Sequence, residues 1–206
     1  MDRSRLLALL VCSFLTSCTL TPPDGGFRGA PEGRDRVRHL NARLGTAALD
    51  EDSWGTLDAP TQVAVDFSEA TPTEWLFFDT GFHLGQSEEG RRLSNGDRAE
   101  EGLTTLELSG GLLARPGEED AWVQPYAGLG LSALWAESDL IANDELEGVQ
   151  DGALGIYGKA GLLFAVGESG WLGLEARVLE AGQVDTATGS REIGGAQLSI
   201  VFGASF

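Results

Sequence analysis

Apolar side chains recur at every second position through most of this chain, with Gly, Ser, Ala or an occasional ion between them. Residues 193–206 show the pattern most fully. Ala196, Leu198, Ile200, Phe202, Ala204 and Phe206 share one parity, while Gly195, Gln197, Ser199, Gly203 and Ser205 share the other. Successive side chains of a strand point to opposite faces, so the stretch is a ribbon with one apolar side and one small, polar side. The same alternation predicts strands over residues 171–178, 154–166, 123–135, 106–114, 76–84 and 62–67. An eighth is predicted over 39–48, where Leu40, Leu44 and Ala47 also share a helical face, so a helix is the alternative there.

The connections alternate in length. Residues 71–73, 116–118 and 167–170 read as short turns, 86–102 and 137–152 as longer acidic loops, and 49–59 and 184–192 as intermediate loops. That rhythm predicts an all-β fold, an eight-stranded antiparallel up-and-down transmembrane β-barrel. An even count brings both chain ends to one side, and closure then requires 39–48 to lie against 193–206. Trp75, Trp122 and Trp171 flank the short turns, and Trp54 and Trp135 lie toward the long ones, as aromatic girdles at two interfaces would.

Alternation alone does not say whether the apolar side faces a protein core or lipid, and a soluble, lipocalin-like periplasmic binding barrel is the structural rival. Composition favours lipid. The second face lacks the dense Lys and Glu of a wetted surface, and small residues suit the narrow interior of eight strands. The net charge of −18 is concentrated between the apolar segments, in Asp50–Asp52, Glu88, Glu89, Asp97–Glu101, Glu118–Asp120 and Asp139–Asp151. A membrane barrel needs that segregation, since Arg or Lys on the lipid face costs about 2–4 kcal/mol near the midplane. The lumen then receives Arg43, Asp66, Asp79, His83, Glu107, Lys159, Glu175 and Arg177. Three cations stand against four carboxylates, and buried ions must be paired, so Glu107, Lys159, Glu175 and Arg177 are expected to form a network that plugs the barrel.

Arg3 and Arg5 precede an apolar run over residues 6–15, too short for a spanning helix but right for a secretory signal. Leu15-Thr16-Ser17-Cys18 resembles the bacterial lipobox, which implies lipidation at Cys18, and Thr19 in place of Asp favours transfer to the outer membrane. The expected layout is a signal peptide over 1–17, a lipidated tether over 18–37 rich in Pro, Gly and Arg, and a barrel domain over 38–206. Loss of Cys12 with the signal leaves Cys18 alone, so neither an intramolecular disulfide nor a cysteine metal site is expected. The acidity argues against nucleic acid as a partner.

The stretch Gln124-Pro125-Tyr126-Ala127-Gly128-Leu129-Gly130-Leu131 resembles the Pro-Tyr-x-Gly-x-Gly pattern of small outer-membrane barrel domains of the OmpA-like and OmpW-like kind. Gly158-Lys159-Ala160-Gly161-Leu162 and residues 172–177 and 195–206 are similar to later strands of those families. The resemblance implies an outer-membrane location with periplasmic termini and extracellular acidic loops. It also implies lipid as the surrounding partner and recognition of Phe206, with Phe202, by the barrel-insertion machinery. Val201 stands where that signal often has Gly. Neither a cofactor nor a metal is expected, and no residue names an extracellular partner.

Two chemical roles stand against a structural or surface-interaction one. Some barrels of this size modify outer-membrane lipids, which needs a nucleophile and a base at the membrane edge. Here His39 and His83 are the only histidines, Ser87 lies four positions after His83, and no His-x-Ser signature is present. The other role is binding of a divalent ion. Asp139, Asn143, Asp144, Glu145 and Glu147 are spaced unlike an EF-hand loop and read as solvated charge.

Overall fold

The structure is a computed structural model, and it describes residues 38–48, 60–73, 75–92, 98–116, 121–142, 145–167, 169–187 and 189–206. The signal and tether over 1–37 with Cys18, the connection 49–59 with Trp54, and the acidic residues Asp97, Glu118–Asp120 and Asp144 lie outside the described residues.

Eight strands follow in chain order: β1 (Arg38–Ala48), β2 (Thr61–Ala70), β3 (Leu76–Arg92), β4 (Arg98–Ala114), β5 (Val123–Ala142), β6 (Glu145–Val166), β7 (Gly170–Thr186) and β8 (Gly189–Ser205). Each pairs antiparallel with its chain neighbours, and β1 pairs antiparallel with β8 to close the barrel. Residues 38–48 are therefore strand rather than helix. Leu40 lies opposite Phe67 on one side and Ala204 on the other, so this segment satisfies two strand edges that would otherwise be open.

The described parts of the long acidic segments are strand rather than loop. The β3–β4 ladder continues to Arg92↔Arg98, the β5–β6 ladder to Ala142↔Glu145, and the β7–β8 ladder to Thr186↔Gly189. Residues 86–92 with 98–102, 137–142 with 145–152, and 184–186 with 189–192 thus prolong the strands as paired ladders. About 9–11 residues cross a hydrocarbon layer, and β6 has 22, so half of that strand stands clear of the part that matches a bilayer. Backbone pairing does not require apolar side chains, which is why acidity alone misplaced the strand ends.

The two faces differ sharply. Large apolar residues point outward along the wall, with Leu129 68% and Leu154 79% exposed. Inside, two apolar clusters bracket a polar middle. Phe77, Leu113, Tyr126, Leu163 and Val201 fill the end that holds the termini and short turns, and Leu103, Leu134, Ala136, Tyr157, Leu179, Val184 and Ile193 fill the other. Val201, which departs from the usual Gly, is one of the residues that fills the first cluster. Trp122 is exposed on the exterior beside Phe164, and Trp75 is exposed just before β3. Trp171 is not part of that girdle: it packs against the interior cluster, and its Nε1–H donates to Ser205 Oγ at 2.9 Å. Its parity with Glu175 and Arg177 places it inside.

Candidate functional site

Alternation along the strands and closure of β1 against β8 bring the polar side chains to one middle layer of the lumen. Arg43 (β1), Asp66 (β2), Asp79 and His83 (β3), Glu107 (β4), Lys159 (β6), and Glu175 and Arg177 (β7) are all buried in this layer. Arg43 sits at its centre. Its Nε lies 2.5 Å from Asp66 Oδ2, Nη2 donates to Asp66 Oδ1 at 2.6 Å, and Nη1 donates to Glu175 Oε1. Lys159 Nζ lies 2.6 Å from Asp79 Oδ2 and 3.9 Å from Glu175 Oε2. Arg177 donates to both oxygens of Glu107, with Nη1 to Oε2 at 3.0 Å, and also to Gln197 Oε1 at 3.1 Å. Each carboxylate thus meets a cation, the condition under which buried charge is tolerated.

Tyrosines tie this layer to the apolar clusters. Tyr126 Oη donates to Glu175 Oε2 at 2.9 Å, and the Tyr157 ring lies 4.5 Å beneath the Arg177 guanidinium. Both rings need bare backbone beside them. A Cβ on Gly161 would fall 2.5 Å from Tyr126 Cζ, and one on Gly130 would fall 2.7 Å from Tyr157 Cε1. Gly130 of the Pro-Tyr-x-Gly-x-Gly stretch and Gly161 of β6 therefore make room for inward-pointing aromatics. Tyr126, Tyr157 and Gln197 were absent from the expected network, although their inward parity was visible; what the sequence lacked was the cross-strand register. Arg115 was also missed, because it follows the last residue of β4, yet it keeps the parity of Glu107.

His83 occupies the centre of a suggestive constellation. Its Nε2 lies 3.3 Å from Ser109 Oγ, and its Nδ1 lies 3.7 Å from Glu107 Oε2. The geometry does not activate the serine. Arg43 Nη2, which can only donate, lies 2.9 Å from Nε2, so that nitrogen already accepts a hydrogen bond from Arg43 and is unavailable as a base. The ring is neutral with its proton on Nδ1, and Glu107 is held by both arms of Arg177 rather than by the imidazole. His39, the other histidine, contacts Ser205 Oγ through Nδ1 at 2.8 Å at the end that holds the termini. Among the described residues no group of three or more His, Cys, Asp or Glu is arranged to hold a metal ion.

A small cavity of about 30 Å³ lies beside this layer, between His83 and Glu107 on one side and Leu103, Leu134, Leu179 and Ile193 on the other. That is the volume of a water molecule or two rather than of a substrate. Phe202 is exposed on the outer face of β8 and pairs with Ala42 of β1; Phe206, also exposed, exchanges backbone hydrogen bonds with Arg38.

A closed eight-stranded antiparallel barrel with an apolar exterior and an ion-paired interior has the fold of the small outer-membrane barrels. Solved structures similar to it include three outer-membrane proteins. A major outer membrane protein from Thermus thermophilus matches with a TM-score of 0.60 at 12% identity, over 84% of this chain and 100% of that one. Outer membrane protein OprG from Pseudomonas aeruginosa matches at 0.55 and 13%, over 83% and 94%. Neisserial surface protein A matches at 0.54 and 16%, over 83% and 97%. At these identities the likeness is one of fold. No protein-family model and no curated protein matches the sequence.

Proposed function

We propose that this chain is a bacterial outer-membrane barrel with a sealed lumen and a structural or surface-interaction role, synthesised with a signal peptide and lipid-tethered at Cys18. The observation that carries this reading is the orientation of the wall: large apolar side chains face outward and ions face inward, the reverse of a lipocalin-like barrel. A soluble protein with that exterior would expose a continuous apolar band, whereas lipid covers it at no cost. The termini and short turns are assigned to the periplasm, and the acidic hairpins to the outside.

The lumen reading follows from layering. Apolar clusters lie on either side of the paired ions among the described residues, and this layering supports a plug rather than a pore. It carries no chemistry of its own in this reading, since His83 is held by Arg43. Membrane fractionation with heated and unheated gel samples tests the class: heat-modifiable migration from the outer-membrane fraction is expected, and recovery as a soluble periplasmic protein would defeat it. Stable, large single-channel currents from purified protein in a planar bilayer would defeat the sealed lumen separately. Palmitate labelling lost in Cys18→Ala tests the tether.

A further inference from the structure

Among the described residues, Arg115, at the short-turn end, differs from the cations buried in the lumen's middle. Arg43, Lys159 and Arg177 each meet a carboxylate, but Arg115, only 6% exposed, has no described ion pair and leaves Nε and Nη1 without a hydrogen-bond partner. It follows directly after β4 at the short-turn end, anchored by its backbone N–H to Trp75 O at 2.8 Å. Its guanidinium lies 5.2 Å from the centre of the Phe77 ring and 6.0 Å from that of Tyr126. Ser68 Oγ, fully buried on β2 in the same half of the lumen, also lacks a partner.

We propose that this end of the lumen is an oxyanion site anchored by Arg115, and that its ligand is a carboxylate. The aromatic rings engage the charge but do not accept the in-plane N–H donors, so those on Nε and Nη1 are unspent. A desolvated cation with empty donors is costly unless an anion completes it. A planar carboxylate matches guanidinium donors and supplies the direct ion pair that the other three cations already have from within the barrel.

The test uses the full chain, refolded in detergent micelles with ¹⁵N-labelled arginine. The Arg115 Nε–H cross-peak is assigned by its loss in Arg115→Met, or in Arg115→Lys if the methionine variant loses heat-modifiable migration. Acetate titrated at constant ionic strength is expected to move that peak downfield and saturably while the Arg43 and Arg177 peaks stay in place. It is also expected to raise the unfolding temperature of the parent but not of the variant. Inorganic phosphate, titrated separately, checks the ligand class: saturation by phosphate alone would overturn the carboxylate assignment. A peak that moves with neither anion, or only in proportion to ionic strength, would overturn the site.

Discussion

Replacing Arg177 with methionine removes a fully buried guanidinium while keeping most of the stem's volume. Its partner Glu107, 4% exposed, then loses both donors, and the remaining neighbour is the neutral His83 with Nδ1 at 3.7 Å, beyond a hydrogen bond. Gln197 Oε1 and the face of Tyr157 lose the same cation. Breaking one side of a buried pair costs about 3–5 kcal/mol, because a desolvated carboxylate is stranded. Glu107→Gln in the same chain removes the stranded charge, so the double variant should recover much of that loss, with a coupling of about 2–3 kcal/mol between the positions. Urea unfolding from lipid vesicles, followed by tryptophan emission and far-UV dichroism, measures all four corners of the cycle. A single-variant cost below about 1 kcal/mol, or strictly additive costs, would refute the claim that this pair is a dry, mutually dependent unit.

Three further outcomes are expected. Gly161→Ala puts a methyl 2.5 Å from both Tyr126 Cζ and Leu174 O and should cost about 1–3 kcal/mol by overpacking, read as a lower urea midpoint; an unchanged midpoint would mean neither rests on that glycine. Leu129→Arg, midway along the outer wall, should cost about 2–4 kcal/mol in vesicles, and a neutral result would remove lipid from that face. Asp151, in the part of β6 that extends beyond the bilayer-matching wall, has its pKa lowered first by the Asp185 N–H on Oδ2 at 2.8 Å, then by the Gly152 N–H on Oδ1 at 2.7 Å. A depressed folded pKa stabilises above the unfolded value and the gain is lost as pH falls through the folded one. The Asp185 amide should therefore be protected from hydrogen exchange at neutral pH and released on acidification, after correction for intrinsic rates, and Asp151→Asn should remove that dependence.

Strand number, face assignment and the inward set of charges were all readable from parity, because a strand's period of two is a local property that needs no knowledge of neighbours. The ends of the strands were not. In residues 137–151 the acidic side chains looked like loop chemistry, but a ladder outside a membrane can carry charge on both faces, so Glu137 and Gln150 simply sit opposite one another across β5 and β6. Trp171 was misread for a related reason: nearness to a turn suggested a girdle, while its parity pointed inside.

What the sequence determined by itself was the amphipathic ribbon repeated eight times, and with it which side of each strand is greasy. The tertiary structure decided who meets whom. Asp66, Glu175 and Arg43 come from β2, β7 and β1, separated by up to 132 positions in the chain, and only closure of β1 against β8 brings the first half of the barrel to the second. Register then selects partners: Arg177 takes Glu107 and Lys159 takes Asp79. The same register leaves Arg115 among aromatic rings, with none of the described carboxylates paired to it. Parity limits each side chain to a face, but pairing energy depends on distance, and distance is set only once the sheet has closed.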